Sequence, residues 1–372
     1  MASIFPSKPL GFGLMRLPRV GGMIDPTQTE RMVDAFLERG FFYFDTAYVY
    51  EGSEEAFRHT VSMRHPRERY LLADKLAGWA LSKDFSPEKM FEASLARTGA
   101  GYFDYYLLHS LQADNLRAYE ENGCWAFSRR MREAGRIRHL GFSFHDSPEL
   151  LERILSDHPE FEFVQLQVNY ADWESETVHA RRNVEVARRH GIEIVVMEPV
   201  KGGILANLPP DAVEVLRTTR PNASVASWAM RFAATLPGVS MVLSGMSSQA
   251  QLEDNLRTFD PIQPFTEEER AALWRAREIL LSGETIACTS CRYCTAGCPA
   301  HIDIPRVFQA MNMLLTFGEH SRPHSTYARL LAAGSGRAQD CVACGHCEGV
   351  CPQHLPIISL LQNSSMQLTE PS

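Results

Sequence analysis

The stretch Gly40–Tyr50 reads GFFYFDTAYVY and contains the unit from which the first 260 residues are built. Gly40 ends a helical segment, and the apolar run Phe41–Phe44 that follows is too short for a typical helix, so it predicts a buried strand. The run ends on a polar residue, Asp45. Similar short runs recur at residues 70–73, 105–108, 137–142, 163–168, 192–197 and 239–243, and one further strand is predicted near Leu10–Leu14.

Amphipathic segments separate these runs and predict helices. They occupy residues 27–39, 87–98, 147–155, 178–189, 223–234 and 249–257. Eight strand–helix units within about 250 residues predict an α/β fold in which a parallel sheet closes into a (β/α)8 TIM barrel. An open doubly wound sheet is the alternative, but no G-x-G-x-x-G follows the first strand and the sequence contains no P-loop.

The composition is that of an ordinary globular protein. The chain has 372 residues, a formal charge of −8, 45% hydrophobic residues and 22% charged residues, which excludes a disordered chain and a small disulfide scaffold. A net negative charge argues against broad binding to nucleic acid or anionic membranes. The sequence has neither an export signal at its start nor an apolar run near the ~20 residues of a membrane span, so we expect a cytoplasmic protein.

Eight of the nine cysteines form two groups that share the spacing C-x2-C-x2-C-x3-C-P. The first group is Cys288, Cys291, Cys294 and Cys298, and the second is Cys341, Cys344, Cys347 and Cys351. This is the spacing of bacterial ferredoxins with two [4Fe–4S] clusters, in which the fourth cysteine ligates the other cluster. We therefore predict one cluster on Cys288, Cys291, Cys294 and Cys351, and the other on Cys341, Cys344, Cys347 and Cys298.

Zinc sites and disulfides are the alternatives for these cysteines. Zinc sites usually use cysteine pairs that are separated by a longer spacer, which disfavours zinc. The ninth cysteine, Cys124, is expected to be a small buried hydrophobic residue. The chain is thus expected to contain a barrel over residues 1–264, a bridging helix over 265–285, and a small α-helical ferredoxin-like domain over 286–372 with helices near 304–315 and 326–333.

Polar residues follow three neighbouring strands of the predicted barrel. Asp45 ends the second strand and Tyr50 follows it, while Lys75 ends the third strand and His109 the fourth. Because the carboxyl ends of barrel strands meet at one face, these four side chains are expected to converge there. An ammonium that is held by a carboxylate stabilises a phenolate, and a histidine can orient a carbonyl oxygen, so the set could protonate a carbonyl while hydride reaches its carbon.

Each residue also has a structural explanation: Asp45 and Lys75 could form a structural ion pair, and His109 could be a satisfied core histidine. The joint occurrence at adjacent strand ends favours the catalytic interpretation.

Three motifs resemble the aldo/keto reductase family: FDTAYVYEGSEEAF after residue 43, GYFDYYLLHS after residue 100 and GRIRHLGFSF after residue 134. The resemblance covers about residues 8–260 and the tail resembles dicluster ferredoxins, so the whole is similar to the iron–sulfur branch of the family. It implies Tyr50, Lys75, Asp45 and His109 as a catalytic tetrad, with Tyr50 as proton donor and NADP or NAD as hydride source. The cofactor-binding residues that the resemblance implies are Gly13, Leu14, Ser143, Gln165, Ser244, Gln251 and Asn255.

Several positions depart from the family pattern. Phe144 replaces an asparagine at the nicotinamide carboxamide, Met197 replaces a stacking aromatic residue, and Glu51 replaces the glycine after the tyrosine. Gly245 and Gln251 stand where basic residues usually hold the 2′-phosphate of NADP. These departures weaken the preference for NADP over NAD.

Three functions remain open at this point. The first is a carbonyl reductase or alcohol dehydrogenase whose clusters are structural or sensory, and the complete tetrad favours it. The second is an electron-transfer oxidoreductase in which the clusters relay electrons to the barrel or to a flavin partner, because an iron–sulfur cluster moves single electrons and a nicotinamide moves two as hydride. The third is a non-catalytic iron–sulfur sensor or docking protein. A small carbonyl or alcohol is the expected substrate, its identity is open, and a redox partner protein is a further expectation.

Overall fold

The computed structural model describes residues 3–283, 285–317 and 323–369. Eight parallel strands close into a barrel, which confirms the predicted (β/α)8 fold. The barrel strands are β1 Leu10–Gly13, β4 Tyr43–Asp45, β5 Leu71–Leu76, β6 Phe103–Leu111, β7 Ile137–Phe144, β8 Phe163–Gln167, β9 Glu193–Met197 and β10 Val239–Gly245. Their order around the barrel is β1-β10-β9-β8-β7-β6-β5-β4. A small exposed hairpin, β2 Arg19–Val20 and β3 Met23–Ile24, follows the first barrel strand.

The helices between residues 26 and 259 are α1 Pro26–Glu38, α2 Ser53–Phe57, α3 Pro87–Thr98, α4 Ala113–Glu121, α5 Cys124–Glu133, α6 Pro148–Asp157, α7 Ala180–Arg189, α8 Pro210–Thr219, α9 Val225–Ala234 and α10 Gln249–Phe259. Three of them begin in the same way, with a polar cap followed by proline. The caps are Asp25, Ser86 and Ser147, and each side chain accepts a backbone N–H three residues later. Such a cap satisfies one of the free donors of the first turn, and proline suits the first helical position.

Aromatic and aliphatic side chains fill the barrel interior below the carboxyl ends of the strands. This core contains Phe5, Tyr43, Tyr105, Phe163 and Met241, and the rings of Phe5 and Tyr105 stack with centroids 4.8 Å apart. A filled interior leaves the open end of the barrel as the place where polar side chains can meet a ligand.

The described residues form two compact units. One contains all eight barrel strands and consists of the chain up to residue 199 together with residues 230–264, and the other consists of residues 200–229 and the chain from residue 265. The division into functional domains at residues 264 and 285 stays a prediction.

The second unit is helical. Its C-terminal helices are α11 Glu267–Leu281, α12 Ile304–Phe317, α13 Pro323–Ala332, α14 His346–Gly349 and α15 Ile357–Leu368. Thr266 and Glu269 form a reciprocal capping box at the start of α11. The core contains apolar side chains from α12, α13 and α15 together with the buried cysteines Cys294, Cys347 and Cys351. Across the described ranges, no helix combines the length and the apolarity that a membrane span requires.

Candidate active site and cysteine groups

Asp45 is the last residue of β4 and Lys75 the last but one of the neighbouring strand β5, and their side chains form a buried ion pair. The Lys75 Nζ donates to Asp45 Oδ1 at 2.6 Å and to the carbonyl oxygen of Thr46 at 2.7 Å. Burial raises the pKa of Asp45, and the Lys75 ammonium opposes this rise. The Lys75 side chain is fully buried, so these acceptors replace its hydration shell and hold the ammonium at a fixed point.

Tyr50 lies in the turn that follows β4, close to this ammonium. Its N–H donates to the carbonyl of Ala47 at 2.9 Å, which folds the turn back over the strand end. The Lys75 Nζ lies 5.0 Å from the centroid of the Tyr50 ring. The His109 ring meets the Tyr50 ring edge-to-face, with centroids 5.7 Å apart. The structure therefore brings together the four side chains that were predicted from three separate strands.

His109 is held as a buried imidazole. Burial lowers the pKa of His109 well below its usual value, and the positive charge of Lys75 lowers it further. The Tyr119 hydroxyl donates to the His109 carbonyl, which fixes the backbone there. The Trp79 ring lies 5.2 Å from the His109 ring and is 38% exposed. At neutral pH the imidazole is therefore uncharged and can hydrogen-bond to a ligand without bringing a second positive charge beside Lys75.

This arrangement has the parts that proton transfer to a carbonyl oxygen requires. A phenol with an ordinary pKa near 10 gives up a proton reluctantly at pH 7, and an ammonium beside it stabilises the phenolate that remains. Tyr50 is partly exposed, whereas Lys75 and Asp45 are buried. Part of the Tyr50 side chain is thus open to solvent, whereas the ion pair is not.

Two of the predicted cofactor-binding residues lie side by side on neighbouring strands. Ser143 of β7 pairs in register with Gln165 of β8, and the Ser143 hydroxyl oxygen accepts the N–H of Ser110 at 2.6 Å. The Gln165 Oε1 is buried and has no hydrogen-bond partner among the described residues. An unmet buried acceptor costs about 1–3 kcal/mol, and the carboxamide of a nicotinamide would supply the missing N–H. These residues therefore fit the predicted group.

The other predicted cofactor residues lie around the ends of β1 and β10. Gly13 pairs in register with Gly245, and the Leu14 carbonyl accepts the Ser53 hydroxyl at 3.2 Å. The Asn255 Nδ2 donates to Ser244 Oγ at 2.7 Å. The Gln251 Oε1 accepts the N–H of Ser247 at 2.7 Å. The Gln251 side chain therefore stabilises the loop between β10 and α10. The cofactor role of each of these residues stays a prediction.

An ion pair that the sequence did not reveal lies at the same end of the barrel. The Arg16 Nη2, just after β1, is 2.9 Å from the Glu198 Oε1, just after β9. The two residues are 182 positions apart, and neither belongs to a motif that could have linked them.

The cysteines of the second unit gather in two sets. Burial raises the pKa of the Cys294 thiol, and the neighbouring thiols of Cys291, Cys288 and Cys351 raise it further. Cys351, which belongs by sequence to the second group, therefore lies near Cys294, and the sharing of one cluster by these four cysteines stays a prediction. Coordination to iron offsets such a rise, because a ligating thiol is deprotonated outright.

The remaining four cysteines line one cavity. Cys298, Cys341, Cys344 and Cys347 contribute to its wall together with His346. Burial raises the pKa of Cys347 to about 11, with smaller contributions from neighbouring Glu348 and Cys341. Within the described ranges, no three histidine, cysteine, aspartate or glutamate side chains lie close enough to share one metal ion.

Cys124 has the predicted character of a small hydrophobic residue. It is fully buried on α5, and burial raises its pKa to about 12. A thiol in this environment is inert.

A parallel barrel with a tyrosine, lysine, aspartate and histidine at its open end, followed by a cysteine-rich helical unit, defines a barrel oxidoreductase with an iron–sulfur domain. Comparison with known families makes this specific. The profile of the aldo/keto reductase family matches residues 9–278, and that of the 4Fe-4S dicluster domain matches residues 287–355. The chain belongs to the aldo/keto reductase family and carries a 4Fe–4S dicluster domain at its C-terminal end.

Relatives and solved structures agree with this assignment. An aldo-keto reductase from Mycolicibacterium smegmatis is 29% identical over 197 residues, which cover 50% of this chain and 70% of the relative. The chain spans about half (49%) of the length of two Mycobacterium aldo-keto reductases. The holo form of aldo-keto reductase AKR11C1 from Bacillus halodurans has a TM-score of 0.57 at 25% identity, covering 72% of this chain and 91% of that chain. A Klebsiella pneumoniae aldo-keto reductase in complex with NADPH shares the fold, with a TM-score of 0.58, 21% identity, and coverage of 72% and 90%.

Proposed function

We propose that the barrel reduces a small aldehyde, ketone or sugar carbonyl to an alcohol, or catalyses the reverse reaction, with hydride from NADP or NAD. The observation that carries the proposal is the buried Lys75 ammonium 5.0 Å from the Tyr50 ring centroid. In the reduction, Tyr50 donates its proton to the carbonyl oxygen and Lys75 stabilises the phenolate. Asp45 positions the ammonium, and neutral His109 orients the carbonyl oxygen.

The dinucleotide is assigned to the same face of the barrel. When bound, it supplies the hydride that adds to the carbonyl carbon. Ser143 and Gln165 would hold its carboxamide, which is supported by the unmet buried Gln165 Oε1. Gly13, Leu14, Ser244, Gln251 and Asn255 would surround the rest of the molecule. The NADPH complex of the Klebsiella pneumoniae structure makes NADP the first cofactor to test.

We also propose two [4Fe–4S] clusters in a ferredoxin-like domain over residues 286–372. Cys288, Cys291, Cys294 and Cys351 would ligate one cluster, and Cys298, Cys341, Cys344 and Cys347 the other. In the favoured function the clusters are structural or sensory. Clusters that are sensitive to oxidation also suit the proposed cytoplasmic location.

A second candidate function is electron transfer between the clusters and a redox partner. It is favoured by one observation: Cys344 is exposed, and Val342 beside it is 65% exposed. A cluster that Cys344 ligates would have an edge open to a partner protein or to a flavin.

The test of the first function compares Tyr50→Phe with Tyr48→Phe in the full chain with its clusters. Tyr48 lies in the same turn, and its ring contacts Phe85 and the Arg97 guanidinium. We expect Tyr50→Phe to lower kcat/KM for NADPH-dependent carbonyl reduction by roughly 100-fold or more, because the proton donor is lost. Tyr48→Phe should stay within a few-fold of wild type. Equal rates for the two variants would refute the assigned role of Tyr50.

A further inference from the structure

The ion pair between Arg16 and Glu198 joins the ends of β1 and β9 at the open end of the barrel. Its atoms are 2.9 Å apart, and the two side chains are 26% and 14% exposed. A pair that is partly open to water contributes only about 0–1 kcal/mol to stability. Its small contribution to the free energy of unfolding therefore does not by itself explain why two charged residues occupy these positions.

Glu198 is held in an unfavourable backbone conformation. Its φ is 54°, in the left-handed region, which costs a residue other than glycine on the order of 1–3 kcal/mol. Its carbonyl accepts the Asn169 Nδ2 at 3.2 Å, and Asn169 and Gln167 both donate to Asp172 Oδ2, at 2.8 Å and 2.9 Å. This buried network fixes Glu198 in place. Strain that the surroundings impose in this way is concentrated at functional sites.

The stem of Arg16 lies against the end of the last barrel strand. A Cβ on Gly245 would be only 3.3 Å from the Arg16 Cβ and 3.4 Å from its Cδ. The Ser247 hydroxyl donates to the Arg16 carbonyl at 2.7 Å, which ties the loop after β10 to this arginine. Residues 244–256 contain no lysine or arginine. Arg16 therefore brings a positive charge to a loop that has none of its own.

We propose that Arg16 binds a phosphate group of the dinucleotide, and that Glu198 holds the guanidinium ready before the dinucleotide arrives. This inference rests on the proposed function, which makes a dinucleotide the ligand of this face. A guanidinium presents a planar pair of N–H donors that matches two phosphate oxygens. The loop leads into α10, whose capped first turn adds a favourable field for an anion. The absent side chain of Gly245 leaves the space that the arginine stem occupies.

The test is the affinity for NADPH and for NADH, measured by calorimetry on the full-length protein with its clusters and without a carbonyl substrate. We expect Arg16→Met to raise the Kd for NADPH about tenfold or more, as loss of a charge-assisted contact does. Arg16→Gln is the substitute variant if thermal unfolding shows that Arg16→Met is not folded. Weaker binding of NADPH alone would place the guanidinium on the 2′-phosphate, and equal weakening for NADH would place it on the pyrophosphate. Both outcomes support the inference.

Two further variants control for the loss of an ion pair. Arg129→Met removes an arginine that pairs with Glu160 at 2.8 Å on the outer helix α5, and it should leave both Kd values unchanged. Glu198→Gln should keep the Kd for NADPH within a few-fold of wild type, because it leaves the cation in place and its amide oxygen can still accept a hydrogen bond from the guanidinium. The inference is overturned if Arg16→Met binds NADPH like wild type, or if Glu198→Gln weakens binding as much as Arg16→Met does. If the wild-type protein binds neither dinucleotide, the proposed function itself fails.

Discussion

At the scale of single residues, the site depends on a lysine that has exchanged all of its water for protein acceptors. An ammonium without access to solvent is expensive unless it is paired and hydrogen-bonded. The Lys75 Nζ donates hydrogen bonds to Asp45 Oδ1 at 2.6 Å and to the Thr46 carbonyl oxygen at 2.7 Å, which offset this cost. The same bonds keep the charge beside Tyr50, so one arrangement serves both folding and the proposed proton transfer.

Substitution of Lys75 by methionine tests these two roles together. We expect Lys75→Met to reduce carbonyl reduction by roughly 100-fold or more, because no ammonium remains to stabilise the phenolate. We also expect it to lower the free energy of unfolding by about 3–5 kcal/mol, since Asp45 is left buried without a partner. Steady-state kinetics and denaturant unfolding provide the two measurements.

The double variant Asp45→Asn/Lys75→Met separates the two effects. It removes both charges, so part of the lost stability should return, whereas the catalytic loss should remain. Full activity in Lys75→Met would mean that Asp45 and Lys75 form a structural ion pair only.

The sequence could predict that the residues of the proposed tetrad lie together, but it could not predict the position of Arg16. Asp45, Lys75 and His109 each end an apolar run, and the barrel rule then predicts that they meet. The pairing of Arg16 with Glu198 depends on which strands close the barrel and on a left-handed turn at Glu198. Neither feature leaves a periodic pattern in the residues themselves.

At the scale of elements, strand positions were predictable because buried parallel strands are nearly continuous apolar runs. The strand predicted over residues 163–168 is observed as Phe163–Gln167, and the strand predicted over 192–197 is observed as Glu193–Met197. Several helices were missed. Helix α4 buries only Tyr119, so its sequence has too few apolar positions to indicate a helix. Helices α2, α5, α8, α14 and α15 were also not predicted, and the β2–β3 hairpin is too short and too exposed to be recognised.

The loop before Cys298 provides a sharp test of the cysteine arrangement. A Cβ on Gly297 would lie 2.0 Å from the His346 Nε2, so the loop or the neighbouring His346 ring must shift if this glycine is replaced. We expect Gly297→Ala to displace Cys298 and to lower the iron content towards half, with loss of the second cluster. Iron and sulfide analysis after anaerobic purification measures this.

Gly349→Ala is the matched control, because its Cβ would meet no atom within 4 Å. It should keep the iron content of the wild-type protein. The same iron content in Gly297→Ala and in Gly349→Ala would contradict the proposed place of Cys298 in the second cluster.

At the scale of the whole molecule, the chain combines two kinds of redox chemistry. The barrel is proposed to transfer hydride, which carries two electrons, and the cysteine groups are proposed to hold clusters that transfer one electron at a time. The two proposed functions differ in the route by which electrons reach the substrate. In the first function, hydride brings both electrons and the hydrogen to the carbonyl carbon. In the second, electrons come from a cluster and the hydrogen at that carbon comes from solvent.

The origin of the hydrogen at the product carbon therefore tests the central claim most directly. The full-length protein with its clusters is given a carbonyl substrate and NADPH that carries deuterium at C4 of the nicotinamide, on either face, and the alcohol is analysed by mass spectrometry. The account predicts one deuterium on the carbinol carbon from one of the two labelled forms, with unchanged cluster absorbance. An unlabelled alcohol from both forms, together with bleaching of the clusters during turnover, would contradict it.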